Sequence, residues 1–233
     1  VVYEDEHILA VSKPSGMPAQ PTLAGDASAL TTQVAKYLGL ARQQDVGLVH
    51  RLDLETSGLT IFGKTKDATR VLAEGFREGY HRKTYWAVAC GALPDSATTD
   101  AWLAKDPSRP GLFQPVPPSS PNGVPALTHL RRLSPPSDVA ALVELRPETG
   151  RTHQLRVHLK GLKAPILGDK RYGGPAEGSV QGAVLTAQRV LLHALELKLN
   201  HPVTGAQMSL KAPIPMDFQA VLGALERGLG AFL

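Results

Sequence analysis

Asp53 is the residue of this 233-residue chain whose setting most suggests chemistry. It lies in His50-Arg51-Leu52-Asp53-Leu54-Glu55-Thr56-Ser57-Gly58-Leu59, between the apolar runs 46–49 and 59–62. Each run reads as a short buried strand, because β-branched and large apolar residues cluster there between turn signals. Thr56-Ser57-Gly58 is a turn signature: two hydroxyls able to bond the backbone, then a residue that tolerates positive φ. The spacing predicts a carboxylate held on a tight connection between rigid elements, a common setting for a nucleophile or a base. A turn aspartate that only bonds its own backbone is the plainer alternative. The histidines at 50, 153, 158 and 193 do not read as a metal site. His153 and His158 are five residues apart, on different faces of a helix, and no cysteine or carboxylate pair completes a ligand set. They read as hydrogen-bonding scaffold, and the expectation is no metal and no cofactor. The single cysteine, Cys90, excludes an internal disulfide and reads as a small core residue.

The pattern H-R-L-D-x-x-T-S-G-L resembles the signature of the RluA-type pseudouridine synthases. Two further stretches resemble the same family in the same order. They are Arg82-Lys83-Thr84-Tyr85-Trp86-Ala87-Val88, and Thr149-Gly150-Arg151-Thr152-His153-Gln154-Leu155-Arg156 followed by Pro165-Ile166-Leu167-Gly168-Asp169 and Arg171-Tyr172-Gly173. The likeness runs from about Val2 to Pro213. It implies conversion of uridine to pseudouridine, in which a glycosidic carbon–nitrogen bond breaks and the uracil rejoins through carbon 5. Asp53 would be the catalytic carboxylate, as a nucleophile on the sugar, a nucleophile on the ring, or a base toward a sugar proton. Burial raises a carboxylate's pKa, so a cation is needed to keep it charged; the resemblance supplies Arg156. Tyr85 would stack on the uracil or move a proton at carbon 5. Arg51, beside Asp53, would fill the gap left when the base is flipped from its stack. Lys13, Lys83, Arg151 and His153 are expected to contact RNA, with Arg82, Lys160, Lys170 and Arg171 as further phosphate contacts. Two departures from the family concern the segment 161–164, where relatives often place Gly-His before the proline, and the loop 104–125, which has no counterpart.

The elements that must hold these residues are read from periodicity. Val1–Tyr3 and Ile8–Ser12 predict a hairpin, and residues 19–27 a loop. Ser28 can cap a helix bearing Leu30, Val34, Tyr37 and Leu38, ended by Gly39. Thr65 or Asp67 opens a second helix carrying Ala68, Val71, Leu72 and Phe76, stopped by Gly79. Lys83–Gly91 predicts a strand. Residues 94–136 hold ten of the nineteen prolines, which predicts a mostly irregular connection with edge strands. Ala126–Leu133 and Val139–Arg146 predict a hairpin. Thr149 or Thr152 is expected to cap a helix through Leu162, with Leu155, Leu159 and Leu162 on its apolar face and His153, Arg156 and Lys160 opposite. Residues 163–183 read as loop. Two strands around residues 195–199 and 208–212 join through 200–205, and Asp217 can cap a last helix. Hairpin-linked strands with few helices predict an α+β fold with a largely antiparallel sheet. The resemblance implies a long mixed sheet in two halves, flanked by helices and loops, with a cleft across the middle. It also implies one catalytic domain over 1–233; relatives often carry a small RNA-binding domain upstream.

Composition fits a globular protein, at 42% hydrophobic and 20% charged residues. The 25 basic against 21 acidic residues lean weakly toward a polyanionic partner, and the 5% aromatic content argues against a broad stacking platform. No apolar run is long enough for a membrane span. The expected partner is ribosomal RNA, with transfer RNA next, acted on in the cytoplasm by a monomer needing no protein partner. Two other classes compete. A non-catalytic RNA-binding module would be marked by loss of Asp53 or Arg156, and both are present. A nucleoside hydrolase would need a second carboxylate, for which Glu55 is nearest.

Overall fold

The computed structural model describes residues 1–21 and 27–233. β1 (Tyr3–Glu4) and β2 (Ile8–Lys13) form the expected hairpin. The Asp5 carboxylate shapes its turn by accepting from the backbone N–H groups of His7 and Ile8 at 2.7 and 2.9 Å. The loop expected over 19–27 falls, at 22–26, outside the described residues. α1 (Leu30–Tyr37) buries Leu30 and Val34, but Ser28 does not cap it: the cap residue is Ala29, and no side chain bonds there. Tyr37 is exposed and donates to Glu4 instead of joining the apolar face. β3 (Gly47–Leu48) is shorter than its apolar run, whereas β4 (Ser57–Gly63) is buried along its whole length. α2 (Lys66–Glu78) starts on Thr65, whose side chain accepts from Ala68 N–H, and ends on Gly79 in the left-handed region at φ 77°.

β5 (Arg82–Cys90) follows as expected. The proline-rich stretch is more ordered than the mostly irregular connection expected: it forms β6 (Ser96–Lys105), β7 (Phe113–Val116) and β8 (Val124–Arg132), and β8 pairs with β9 (Ala140–Pro147) in the hairpin expected there. Pro115 lies on β7, which borders only β6. Pro125 lies at the end of β8 that pairs β6 before pairing with β9 begins at Thr128. In both places the strand has a neighbour on one side only, where proline is tolerated. α3 (Gln154–Gly161) is a correction. Its cap is His153 in the left-handed region at φ 56°, neither threonine caps it, and Gln154 to Leu159 are all buried, Arg156 included. The loop expected over 163–183 contains β10 (Glu177–Val180), which pairs with β11 (Ala183–Thr186) just beyond it in a hairpin. β12 (Leu192–Asn200) and β13 (Gln207–Lys211) pair as expected. In α4 (Met216–Leu229) Asp217 lies in the first turn and the cap is Pro215; the Asp217 carboxylate receives the Arg189 guanidinium at 2.6 and 2.9 Å.

The class is α+β, with mostly antiparallel strands flanked by helices. The chain divides into two compact units, Val1–Lys83 with Ala194–Pro213, and Thr84–His193 with Ile214–Leu233. In the first unit, β2 and β4 present alternate residues to opposite sides. Ile8, Ala10, Leu59 and Ile61 pack with Ala68 and Leu72 of α2 and with Leu197 and Leu199 of β12. Leu9 and Phe62 pack with Leu30 and Val34 of α1. Both faces of β4 are thus covered, which is why its sequence is a continuous apolar run. Each such side chain contributes about 1.5–3 kcal/mol of hydrophobic stabilisation before chain entropy is counted. In the second unit Ala87, Val88 and Ala89 of β5 and Ala141, Leu142 and Val143 of β9 form the core with Phe218 and Leu222 of α4. Among the described residues no helix is long and apolar enough to cross a membrane.

Candidate active site

The Asp53 loop is pinned from both ends of the first unit. Upstream, His50 Nε2 accepts from the backbone N–H of Ile61 on β4 at 3.1 Å, so its proton resides on Nδ1. The His50 ring stacks on Phe76 of α2 at 4.3 Å, and Phe76 meets His81 edge-on at 4.7 Å. Desolvation in this packing, then the positive charge of Lys83 and the neighbouring His81, hold the imidazole at about 3, so it is neutral. Leu52 is buried. Asp53 is partly exposed, and its backbone carbonyl accepts from Thr56 N–H at 3.1 Å, closing a turn centred on Leu54 and Glu55; of the expected Thr56-Ser57-Gly58 turn, Ser57 and Gly58 instead open β4. Gly58 has φ 117°, and a Cβ there would run into the backbone of Ala194, so glycine is required on two counts.

The segment 13–17 holds the other side of the loop. The register sets Lys13 opposite Gly58. Leu54 carbonyl accepts from Gly16 N–H at 2.9 Å, and Glu55 carbonyl from Ser15 Oγ at 2.7 Å. Lys13 is a correction. It was expected to reach phosphate, yet it is fully buried, and Nζ donates to the carbonyls of Pro14, Met17 and Leu54 at 3.0, 2.9 and 3.1 Å. A buried ammonium needs such acceptors to offset its desolvation, and committing to them removes it from the surface. Its place in the motif was legible in the sequence; its inward direction was not. Arg51 is exposed beside Asp53, and Lys83 is partly buried at the start of β5.

The remaining sequence-predicted residues lie in the second unit. Tyr85 is partly buried on β5, opposite Leu145 of β9. Arg156 is buried on α3, and its Nε and Nη2 donate to the two carboxylate oxygens of Asp169 at 2.7 Å each. Its guanidinium also lies 4.9 Å from the centre of the Tyr172 ring. Asp169 is wholly buried and accepts from Tyr172 N–H at 3.2 Å. The Tyr172 hydroxyl accepts from Phe113 N–H at 2.9 Å and is hydrogen-bonded to His153 Nδ1 at 2.8 Å. Burial is the main reason its pKa is raised. The R-T-H-Q-L-R and G-D-x-R-Y-G segments are therefore one polar network, and His153 belongs to it. Arg151 is exposed, with Nε donating to Pro125 carbonyl at 3.0 Å. Asp169 and Tyr172 were visible as motif members, but nothing local in the sequence told that they hold Arg156 and His153, thirteen and nineteen residues away along the chain.

Other chemistries find less support. Burial pushes the Cys90 thiol up to about 11, so it is not a thiolate at neutral pH. Among the described residues, no group of three or more His, Cys, Asp or Glu is arranged to hold a metal ion.

The family model for RNA pseudouridylate synthase matches residues 7–160. The ribosomal large subunit pseudouridine synthase D of Pasteurella multocida is 36% identical over 97% of this chain and 70% of its own length. The protein of the same name from Escherichia coli (strain K12) is 35% identical over 93% of this chain and 67% of its own. Among solved structures, human RNA pseudouridylate synthase domain containing 4 superposes with a TM-score of 0.77 at 31% identity, covering 97% of this chain and 92% of that one. Human RNA pseudouridylate synthase domain containing 1 gives 0.72 at 27% identity, covering 92% and 82%.

Proposed function

The chain belongs to the RNA pseudouridine synthase family, and from that membership we propose that it converts uridine to pseudouridine in large-subunit ribosomal RNA. The observation that carries the reading is the H-R-L-D loop, a carboxylate on a turn fixed by Lys13 and Ser15 on one side and His50 on the other. Relatives sharing about a third of their residues with the chain bear the name of a ribosomal large subunit enzyme, which supports the substrate. In the reaction the bond between uracil N1 and the sugar C1′ breaks, the ring turns, and C5 bonds to C1′. The C5 proton leaves and N1 gains one, so atoms balance without redox chemistry or net hydrolysis.

In this proposal Asp53 is the carboxylate that attacks the sugar or ring or takes a sugar proton. Arg156 supplies a cation to the reaction; two of its five N–H donors go to Asp169, which fixes the plane of the guanidinium. Tyr85 stacks on the detached uracil, and its hydroxyl serves the proton transfer at C5. Arg51 enters the space vacated by the flipped base. Lys83, Arg151 and His153 contribute contacts to the RNA. The chain passes between the two units three times, so neither can be cut away as one segment, and we read them as one catalytic domain. It would work as a monomer in the cytoplasm, where ribosomal RNA is made. The test is to incubate the pure protein with total RNA from a strain lacking its gene and to map pseudouridines. New pseudouridines in large-subunit ribosomal RNA are expected. Modification of transfer RNA alone would overturn the substrate, and none in any RNA would overturn the activity.

A further inference from the structure

We propose that Tyr80 is a stacking platform for an RNA base that flanks the target uridine, with Arg82 holding the adjoining phosphate. The proposal rests on the RNA reading above and adds a binding subsite to it. Of the tyrosine, phenylalanine and tryptophan side chains among the described residues, only Tyr37 and Tyr80 are exposed. Tyr37 is tied to Glu4 by a 2.7 Å hydrogen bond. Tyr80 is 75% exposed and makes no side-chain hydrogen bond among the described residues. A single exposed ring is ordinary in itself, so its neighbours decide whether it has a role.

The surroundings say which partner. Tyr80 is followed by His81 and Arg82. The His81 ring meets Phe76, and Phe76 stacks on His50, the residue before Arg51. Arg51, Tyr80 and Arg82 thus leave the surface within one residue of a single stack of three rings, and that stack ends three residues before Asp53. Both arginines are exposed, and neither forms an ion pair among the described residues. The backbone beneath is fixed. Tyr80 N–H donates to Gly75 carbonyl at 2.9 Å, and His81 Nε2 lies 3.1 Å from Leu72 carbonyl, to which it donates. Gly75 lets the His81 ring lie against α2, since a Cβ there would strike it. An exposed planar ring and unneutralised guanidinium groups, carried by segments that one ring stack holds together, suit a single-stranded polyanion carrying flat bases. A protein partner would need more apolar surface than this one ring offers.

The experiment measures single-turnover pseudouridine formation on a transcript of large-subunit ribosomal RNA against enzyme concentration, giving a half-saturation concentration and a plateau rate. Tyr80→Ala should raise the half-saturation concentration about tenfold, the loss falling there rather than on the plateau. Tyr80→Phe keeps the ring and should stay close to the parent, as should Tyr37→Ala. Arg82→Gln should lower the slope of log affinity against log salt by about one, which Tyr80→Ala should not do. If Tyr80→Ala binds like the parent, or Tyr80→Phe loses as much as Tyr80→Ala, the subsite does not exist. If the parent itself forms no pseudouridine in the transcript, the failure lies with the substrate reading and is seen before any variant is made; filter binding of the same transcript, with the same variants, then decides the subsite.

Discussion

Lys13 places a full charge among three backbone carbonyls, so its influence on Asp53 runs through the turn that carries it. Lys13→Met would take their donor from the carbonyls of Pro14 and Met17, and one of two donors from that of Leu54, at a cost of roughly 1–3 kcal/mol. Urea unfolding checks this, and a stable variant with weakened RNA binding would restore the phosphate-contact reading. His50 gives a second prediction at this scale. Its folded-state value, about 3, lies below the ordinary 6.5, so the unfolded chain takes up a proton that the folded chain refuses. That contribution to stability is complete above about pH 6.5 and is lost as pH falls toward 3, at up to about 1.4 kcal/mol per unit. His158, held near 4 chiefly by burial, acts in the same direction. His50→Gln keeps an acceptor for Ile61 N–H and should flatten the fall in stability between pH 6.5 and 5. An unchanged slope would mean that the ring is not neutral as described.

At the scale of elements, α3 carries the argument. Arg156 and Asp169 are both buried and bonded in a two-pronged pair, so Arg156→Met leaves a carboxylate stranded, at roughly 3–5 kcal/mol. Arg156→Met with Asp169→Leu removes both charges and should recover much of that stability in urea unfolding. If Arg156 also serves the reaction, the paired variant stays inactive; recovery of turnover with stability would reduce Arg156 to a structural residue. The same helix shows what was legible beforehand. Its place and length were close, because leucines recur at helical spacing. Its start was missed, because the left-handed His153 is set by the Tyr172 hydroxyl and by Gln154, whose side chain accepts from Arg151 N–H and donates to Leu127 carbonyl. Thr65 and Gly79 at the ends of α2 were read correctly because capping there is local. The strand β8 was read from its apolar residues, but the extent of β6 and β7 was not: proline content marks where a ladder is interrupted, but whether the interruption matters depends on which side of the strand has a neighbour. A tight connection around Asp53 was legible from residue types alone, and the inward course of Lys13 was not.

For the whole molecule, the central claim is that a single carboxylate on a turn fixed from both sides carries out the isomerisation. Asp53→Asn keeps the side-chain shape and leaves untouched the backbone bonds of Asp53, Leu54 and Glu55 to Thr56, Gly16 and Ser15. The fold and RNA binding should therefore persist, while an amide can act as neither nucleophile nor base. The direct measurement is single-turnover release of tritium from C5-labelled uridine in a ribosomal RNA transcript, since C5 loses its hydrogen as it bonds to C1′. The parent protein should release label, and pure Asp53→Asn should release none while binding the transcript as tightly. Release of tritium by the pure variant at a rate near the parent's would contradict the claim.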